Sequence, residues 1–137
     1  MQLTLPSSFY RDPQAWARDR TDIFAAGWQF LGHESEVAMA GDVLAGDVAG
    51  WPVLVVRTPE GALNGFHNVC RHRAGPLAPD GASHCGGELT CKYHGWRYAL
   101  DGRLRSAVDF GAAEGFDPRE FGLFPVTIEV WRGVIFV

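Results

Sequence analysis

Hydrophobic positions along this chain fall into two regimes. Near the start, Asp12 followed by Pro13 reads as a helix cap with proline at the first helical position, and Trp16, Ile23 and Phe24 then stand at i, i+7 and i+8. This spacing predicts a helix over about residues 12–27 that lays one apolar face on the core. From Trp28 onward the pattern shortens. Trp28 to Leu31, Asp42 to Val48, Pro52 to Arg57 and Leu63 to His67 are brief runs, each bounded by Gly, Pro or Asn. The stretch from Val53 to Arg57 is rich in β-branched residues and reads as a buried strand. Trp96 to Leu100 and Arg103 to Ala107 flank Asp101-Gly102, a dipeptide that tolerates positive φ and so predicts a two-residue hairpin turn. Val108 to Phe124 reads as a loop rich in Gly, Asp and Phe. Val126 to Val130 and Gly133 to Val137 read as a last strand pair joined by Trp131-Arg132. Short strands at this spacing predict an all-β domain of small antiparallel sheets behind a short N-terminal helix. No internal repeat or low-complexity tract interrupts it.

Length and charge narrow the function classes. The 137 residues amount to one domain, 1–137, large enough for its own core. Apolar residues make up 47%, yet none of their runs approaches the ~18 that span a bilayer. The N-terminus has no basic region followed by an apolar one, so no signal peptide is read there. A formal charge of −4 with no long basic cluster argues against nucleic acid as a partner. Arg71, Arg73, Lys92, Arg97, Arg103 and Arg105 do gather in one part of the sequence, which predicts a local positive rim on an acidic domain.

The chemistry is concentrated between Phe66 and Trp96. Cys70 and His72 form a Cys-x-His pair, Cys91 and His94 a Cys-x-x-His pair, and eighteen residues separate the two. Two thiolates and two imidazoles on short loops form a metal-site pattern. Two centres fit that donor set: one tetrahedral zinc, or a [2Fe–2S] cluster with both cysteines on one iron and both histidines on the other. Zinc sites more often use closer Cys-x-x-Cys pairs. His67 and His84 lie near the ligands but outside the motif, where a hydrogen-bonding role is expected, and His33 carries no signal. Cys85 is expected to be a free thiol. Tyr93 and Trp96 flank His94 and are placed to shield it, a role compatible with ordinary core packing. Gly75-Pro76 and Gly95 allow close backbone approach to the centre.

The strings CRHRAGPL and CKYHGWRY resemble the two cluster-binding loops of Rieske iron–sulfur proteins, specifically the aromatic-ring-hydroxylating oxygenase large subunits. The N-terminal YRDPQAW, the following IFAAGWQFLGH and the closing VWRGVIFV are similar to the first domain of those subunits, so the resemblance covers nearly the whole chain. The N-terminal half is similar to the quaternary-amine-type members of that group. The gap of eighteen residues is slightly longer than is usual there and implies a longer loop around Pro79 to Gly87. The resemblance implies a Rieske-type fold with a cluster-binding subdomain at about residues 66–107, one [2Fe–2S] cluster on Cys70, His72, Cys91 and His94, and electrons arriving from a reductase or ferredoxin. They would leave for a mononuclear non-heme iron on a catalytic domain, of the same or a neighbouring subunit, that these 137 residues lack. Such subunits commonly form trimers. Respiratory-type Rieske proteins staple their loops with a disulfide, which needs two further cysteines. With Cys70 and Cys91 as ligands only Cys85 is left, so a reducing, cytoplasmic location is expected.

Charge explains why such a centre would use histidine. Two ferric ions, two sulfides, two thiolates and two neutral imidazoles sum to zero, whereas four thiolates would leave −2. Adding an electron to a neutral centre in a low-dielectric site costs less than adding it to a dianion, so the potential rises to roughly −150 to +300 mV. Each imidazole keeps an N–H for a partner at the surface, which makes the His72 and His94 edge the electron port. Oxygen activation in these oxygenases takes a facial triad of two histidines and a carboxylate. Beyond the ligands only His33, His67 and His84 remain, in no paired spacing, so the chain is not expected to be catalytic alone. A stand-alone Rieske ferredoxin and a structural zinc module are the alternatives.

Overall fold

The computed structural model describes residues 4–108 and 113–137. Its centre is a five-stranded antiparallel sheet in the order β5-β2-β3-β4-β9, built from β2 (Asp42–Val48), β3 (Trp51–Arg57), β4 (Leu63–His67), β5 (Gly81–His84) and β9 (Pro125–Val126). In β2 and β3, Val43 pairs with Val56, Leu44 with Val55 and Ala45 with Leu54. Side chains alternate across a strand, so this register sends Val43, Ala45, Leu54 and Val56 to one face and Leu44 and Val55 to the other. Both faces are covered, which is why the sequence there is continuously apolar rather than alternating.

Each face takes its own small sheet. On the first lie Leu89, Tyr98 and Leu104 from β6 (Leu89–Thr90), β7 (Arg97–Tyr98) and β8 (Leu104–Ser106), joined in that order. On the second lie Leu31, Val130 and Ile135 from β1 (Phe30–His33), β10 (Glu129–Trp131) and β11 (Val134–Phe136), in the order β1-β11-β10. The expected all-β fold of small antiparallel sheets is therefore observed. The connection expected to be a longer loop around Pro79 to Gly87 is in part a strand: β5 adds Gly81–His84 to the edge of the central sheet through pairs such as Leu44 with Ala82.

Several local expectations are corrected. The N-terminal α-helix, α1, spans Pro13–Asp19, with the Asp12 side chain accepting from the Gln14 N–H at 2.9 Å. It then widens into a π-turn, Arg20–Phe24, and stops short of Gly27. That wide turn breaks the 3.6-residue period. Trp16 and Ile23 are 51% and 60% exposed, and only Ala15 of α1 is buried. The helix is anchored by a cation instead: Arg20 donates to the Ala49 carbonyl and stacks over Trp51 at 4.5 Å.

The turns shift too. Asp101-Gly102 is not a two-residue turn. Of the pair only Gly102 has positive φ (85°), and the bonds from Gly102 N–H to Ala99 and from Ala99 N–H to Arg103 enclose three residues. Leu100 is buried in that loop, which gives the longer turn its packing reason. The last hairpin turns at Arg132-Gly133 (φ 50° and 82°), one residue later than expected. The run from Val126 to Val130 divides between β9 and β10. Of the expected loop from Val108 to Phe124, residues 109–112 lie outside the described residues, and Pro118–Phe121 forms a 3-10 turn capped by Asp117.

Leu54→Ala is expected to destabilise the domain by about 3 kcal/mol, since the side chain is fully buried. Ile23→Ala, exposed despite its spacing, should cost less than about 0.5 kcal/mol. Urea denaturation compares them, and equal losses would return the helix stripe to the core.

Candidate metal centre

Two loops with matching backbone geometry meet side by side, one leaving the central sheet and the other the small sheet on its first face. In the first, which follows β4, Cys70 N–H donates to the Gly75 carbonyl at 2.8 Å and Ala74 N–H donates back to the Cys70 carbonyl at 2.9 Å. In the second, between β6 and β7, Cys91 N–H donates to Trp96 at 2.8 Å and Gly95 N–H to Cys91 at 2.9 Å. The fifth residue of each loop is left-handed, Ala74 at φ 56° and Gly95 at φ 71°. An alanine in that region carries a strain that its tertiary setting must hold. Gly75 is needed for closeness: a Cβ there would lie 3.2 Å from Cys91 Sγ and 3.3 Å from Tyr93 Cβ.

All four candidate ligands come together, sorted by depth. Cys70 and Cys91 are each 2% exposed. His72 is half-buried, His94 is exposed, and their ring centres stand 4.6 Å apart at 62°. Trp96 stacks on His72 at 5.0 Å and 10°, while Tyr93 lies 4.0 Å from His94 and is 64% exposed. The two aromatics therefore shield different histidines, rather than both shielding His94. Among the described residues no three His, Cys, Asp or Glu side chains close on one ion position. A binuclear centre, with two protein donors on each iron, asks for pairs rather than a quartet around a point.

Residues outside the motif complete the site. Tyr98 OH lies 3.2 Å from Cys70 Sγ and accepts the Arg71 N–H at 3.0 Å. Burial, then the Cys70 contact, holds this phenol well above its ordinary range. Burial likewise pushes the Cys91 thiol up, with Cys70 beside it adding to the effect. An uncompensated Cys91 thiolate is disfavoured in this pocket, and a cationic centre is what would relieve it. His72 is shifted the other way, held below its usual value by burial, then by His94 and Arg73, and so kept neutral as a metal ligand requires. Asn68, 4% exposed, accepts from Leu77 and Ala78 N–H at 2.8 and 3.1 Å and donates to the Ala78 carbonyl at 2.8 Å, pinning the return of the first loop. Nothing in the spacing marks Asn68 or Tyr98. Only a polar residue in an otherwise apolar neighbourhood hints at either.

The remaining candidates lie elsewhere. His84 Nδ1 meets Asp42 at 2.9 Å, His67 sits half-buried on β4, and His33 caps the 3-10 turn Glu34–Val37. Cys85 is a half-buried free thiol whose N–H bonds Gly41. The positive rim is smaller than expected, because Arg97 pairs with Glu88, Arg103 with Asp101, and Arg71 turns inward to the Gly122 carbonyl. Arg73 and Lys92 are exposed on the two loops.

A model of the Rieske [2Fe-2S] domain matches residues 27–116. The chain belongs to the Rieske [2Fe-2S] domain family. Curated relatives of this Rieske chain include a glycine betaine monooxygenase oxygenase subunit from Chromohalobacter salexigens, 39% identical over 98% of this chain and 30% of that protein. A chloroplastic choline monooxygenase from Atriplex hortensis is 38% identical over the same shares. Among solved structures, a quaternary ammonium Rieske monooxygenase in complex with L-carnitine superposes with a TM-score of 0.89 at 32% identity, covering 97% of this chain and 38% of that one. Naphthalene 1,2-dioxygenase with indole bound gives 0.83 at 30%, covering 91% and 28%. The Rieske-type fold is thereby established, and the chain spans 30% of the length of these two curated relatives.

The metal-free domain is expected to lose stability as pH falls. His72 resists protonation when folded, so stability present above its ordinary 6.5 is lost as pH drops below that value. Asp42, held low by His84, and Asp117, held low by Arg119, add stability present above the ordinary 3.8 and lost through their lower folded values. Denaturation midpoints across this range check it. His72→Asn should flatten the near-neutral limb, and an unchanged limb would remove His72 from the account.

Proposed function

We propose that Cys70 and Cys91 hold one iron and His72 and His94 the other iron of a single [2Fe–2S] cluster, and that this domain relays single electrons inside an oxygenase. The observation that carries the reading is the pair of matching loops, which bury two thiols behind two imidazoles presented at the surface. When bound, the cluster supplies a one-electron couple. The protein's own residues do the rest: Trp96 and Leu89 exclude water from the thiol side, Tyr98 directs its hydroxyl at Cys70, and His94 offers an exposed edge to a partner.

Electrons would come from a reductase or ferredoxin and pass to a mononuclear iron on a separate catalytic domain, within a trimer and in a reducing cytoplasm. The relatives' names support a quaternary ammonium compound as the substrate class of the whole protein. An uncovered aromatic surface supports a further domain. Trp28, just before the small outer sheet β1-β11-β10, and Phe30 and Trp131 on it are 53%, 66% and 61% exposed, and Trp28, Trp131 and Phe136 line an apolar depression of about 280 Å³.

Metal and sulfide analysis is expected to give two iron and two acid-labile sulfides per chain. Cys70→Ser and Cys91→Ser should lose the brown colour, and Cys85→Ser should keep it. Stoichiometric zinc without sulfide would sink the reading, as would a colourless Cys85→Ser beside a brown Cys70→Ser.

Tyr98→Phe is expected to keep the metal content and lower the reduction potential. A hydroxyl donating to a ligand sulfur stabilises the electron-rich state, so its loss should shift the potential down by on the order of 60 mV, the one-electron equivalent of about 1.4 kcal/mol. Voltammetry decides, and an unchanged or raised potential would deny the bond its tuning role.

A further inference from the structure

One side chain that the sequence places on the exposed rim reaches around the back of the site. The half-buried Arg71 donates to the Gly122 carbonyl at 2.7 Å, and its guanidinium lies 3.9 Å from the ring centre of Phe124 and 6.0 Å from that of Phe121. Phe121 meets the edge of Trp96 at 5.9 Å, and Trp96 lies flat against His72. A closed circuit of contacts thus leaves the first loop at Arg71 and returns to it at His72.

We propose that Arg71 is a positioning residue for His72: by pinning residues Phe121–Phe124 against Trp96, it fixes the plane in which the His72 imidazole is presented. This rests on His72 being a cluster ligand, as proposed above. The second side-chain torsion of histidine has broad, roughly two-fold wells. On a short surface loop the ring plane must therefore be set by what packs on it. Trp96, 1% exposed, supplies the flat wall. Phe121 backs that wall, and the guanidinium holds the segment bearing Phe121. A planar guanidinium can stack on a ring and bond a carbonyl at once, which a lysine ammonium does less well. The backbone of Arg71 is fixed separately, through Tyr98, so a side-chain substitution leaves that anchor in place.

The test uses the iron-loaded domain with two readouts: backbone hydrogen exchange across Phe121–Phe124, and the histidine nitrogen hyperfine couplings of the reduced centre by pulsed electron paramagnetic resonance. Arg71→Gln and Arg71→Lys should both retain iron and sulfide, quicken exchange in the segment about tenfold, and shift the coupling of one nitrogen. Arg73→Gln, which removes a charge from the same loop, should do neither. Phe124→Leu lies outside the ligand loops and should reproduce the shift, which keeps the proposal testable if an Arg71 variant fails to load. Faster exchange with unaltered couplings would overturn the proposal, leaving Arg71 a fastener of that segment alone. A shift in Arg71→Gln but not in Arg71→Lys would overturn it in favour of a charge effect. Absence of histidine nitrogen couplings in the unsubstituted domain would instead overturn the ligand assignment, and the positioning role with it.

Discussion

The hydroxyl of Tyr98 is where the two halves of the site are fastened. The loop of Cys91 and His94 runs directly into β7, which carries Tyr98, whereas the loop of Cys70 and His72 hangs from β4 on the central sheet. From β7 the phenol crosses to the other loop, accepting the Arg71 N–H and touching Cys70 Sγ at 3.2 Å. Both partners are desolvated there, so a lost contact would leave polar groups unpaired in an apolar setting, which costs more than a surface hydrogen bond. The small sheet β6-β7-β8 can hold this pose because Leu89, Tyr98 and Leu104 sink into the core of the central sheet. Packing therefore fixes the distance between two Cys/His pairs that the chain separates by eighteen residues.

Depth then does the chemical sorting. Both thiols are buried, burial pushes that of Cys91 up, and the histidines stand progressively nearer the solvent. Metal loading of such a pocket releases protons, so assembly is favoured as pH rises. The same burial that raises the cost of empty thiolates lowers the local dielectric around a neutral centre, which strengthens each hydrogen bond aimed at its sulfurs. Stability and redox tuning thus share one cause, the exclusion of water from the cysteine side.

The candidate site was legible as a place in the fold because its spacing is local: each Cys/His pair falls within one loop, the two loops meet, and the loop geometry is set by a left-handed fifth residue. The strands β2 and β4 were legible to the residue, since Gly and Asn bound them and both faces are buried. What failed was whatever depended on register over a distance. The stripe of Trp16, Ile23 and Phe24 presupposed an unbroken α-helix, and the π-turn at Arg20–Phe24 defeated it. Asp101-Gly102 carries the right dipeptide for a tight turn, but burial of Leu100 won over turn propensity. Tyr98 and Asn68 had no pattern to betray them, because each acts on a residue many positions away. Arg71 misled outright: its charge suggested a rim, and its shape suited a pocket of two phenylalanines.

The surface that remains is electrically lopsided in a useful way. Residues 70–76 and 91–96 contain Arg71, Arg73 and Lys92 and no carboxylate, on a chain whose formal charge is −4. With Arg71 withdrawn, Arg73 and Lys92 stand exposed beside His94 and Tyr93. Charges placed so act on encounter more than on final affinity, since a rim cation in water contributes little once docked but biases approach over a Debye length of ~8–10 Å. A partner bearing carboxylates would be drawn to the histidine edge and turned away from the acidic remainder. Such a relay must bind, pass one electron and let go, and exposed, screened charges suit that cycle better than a deep apolar contact would. The uncovered aromatic face of the outer sheet has the opposite character, apolar and broad, and suits a lasting contact instead. The domain thus presents two surfaces of different chemistry, one fit for exchange and one for attachment.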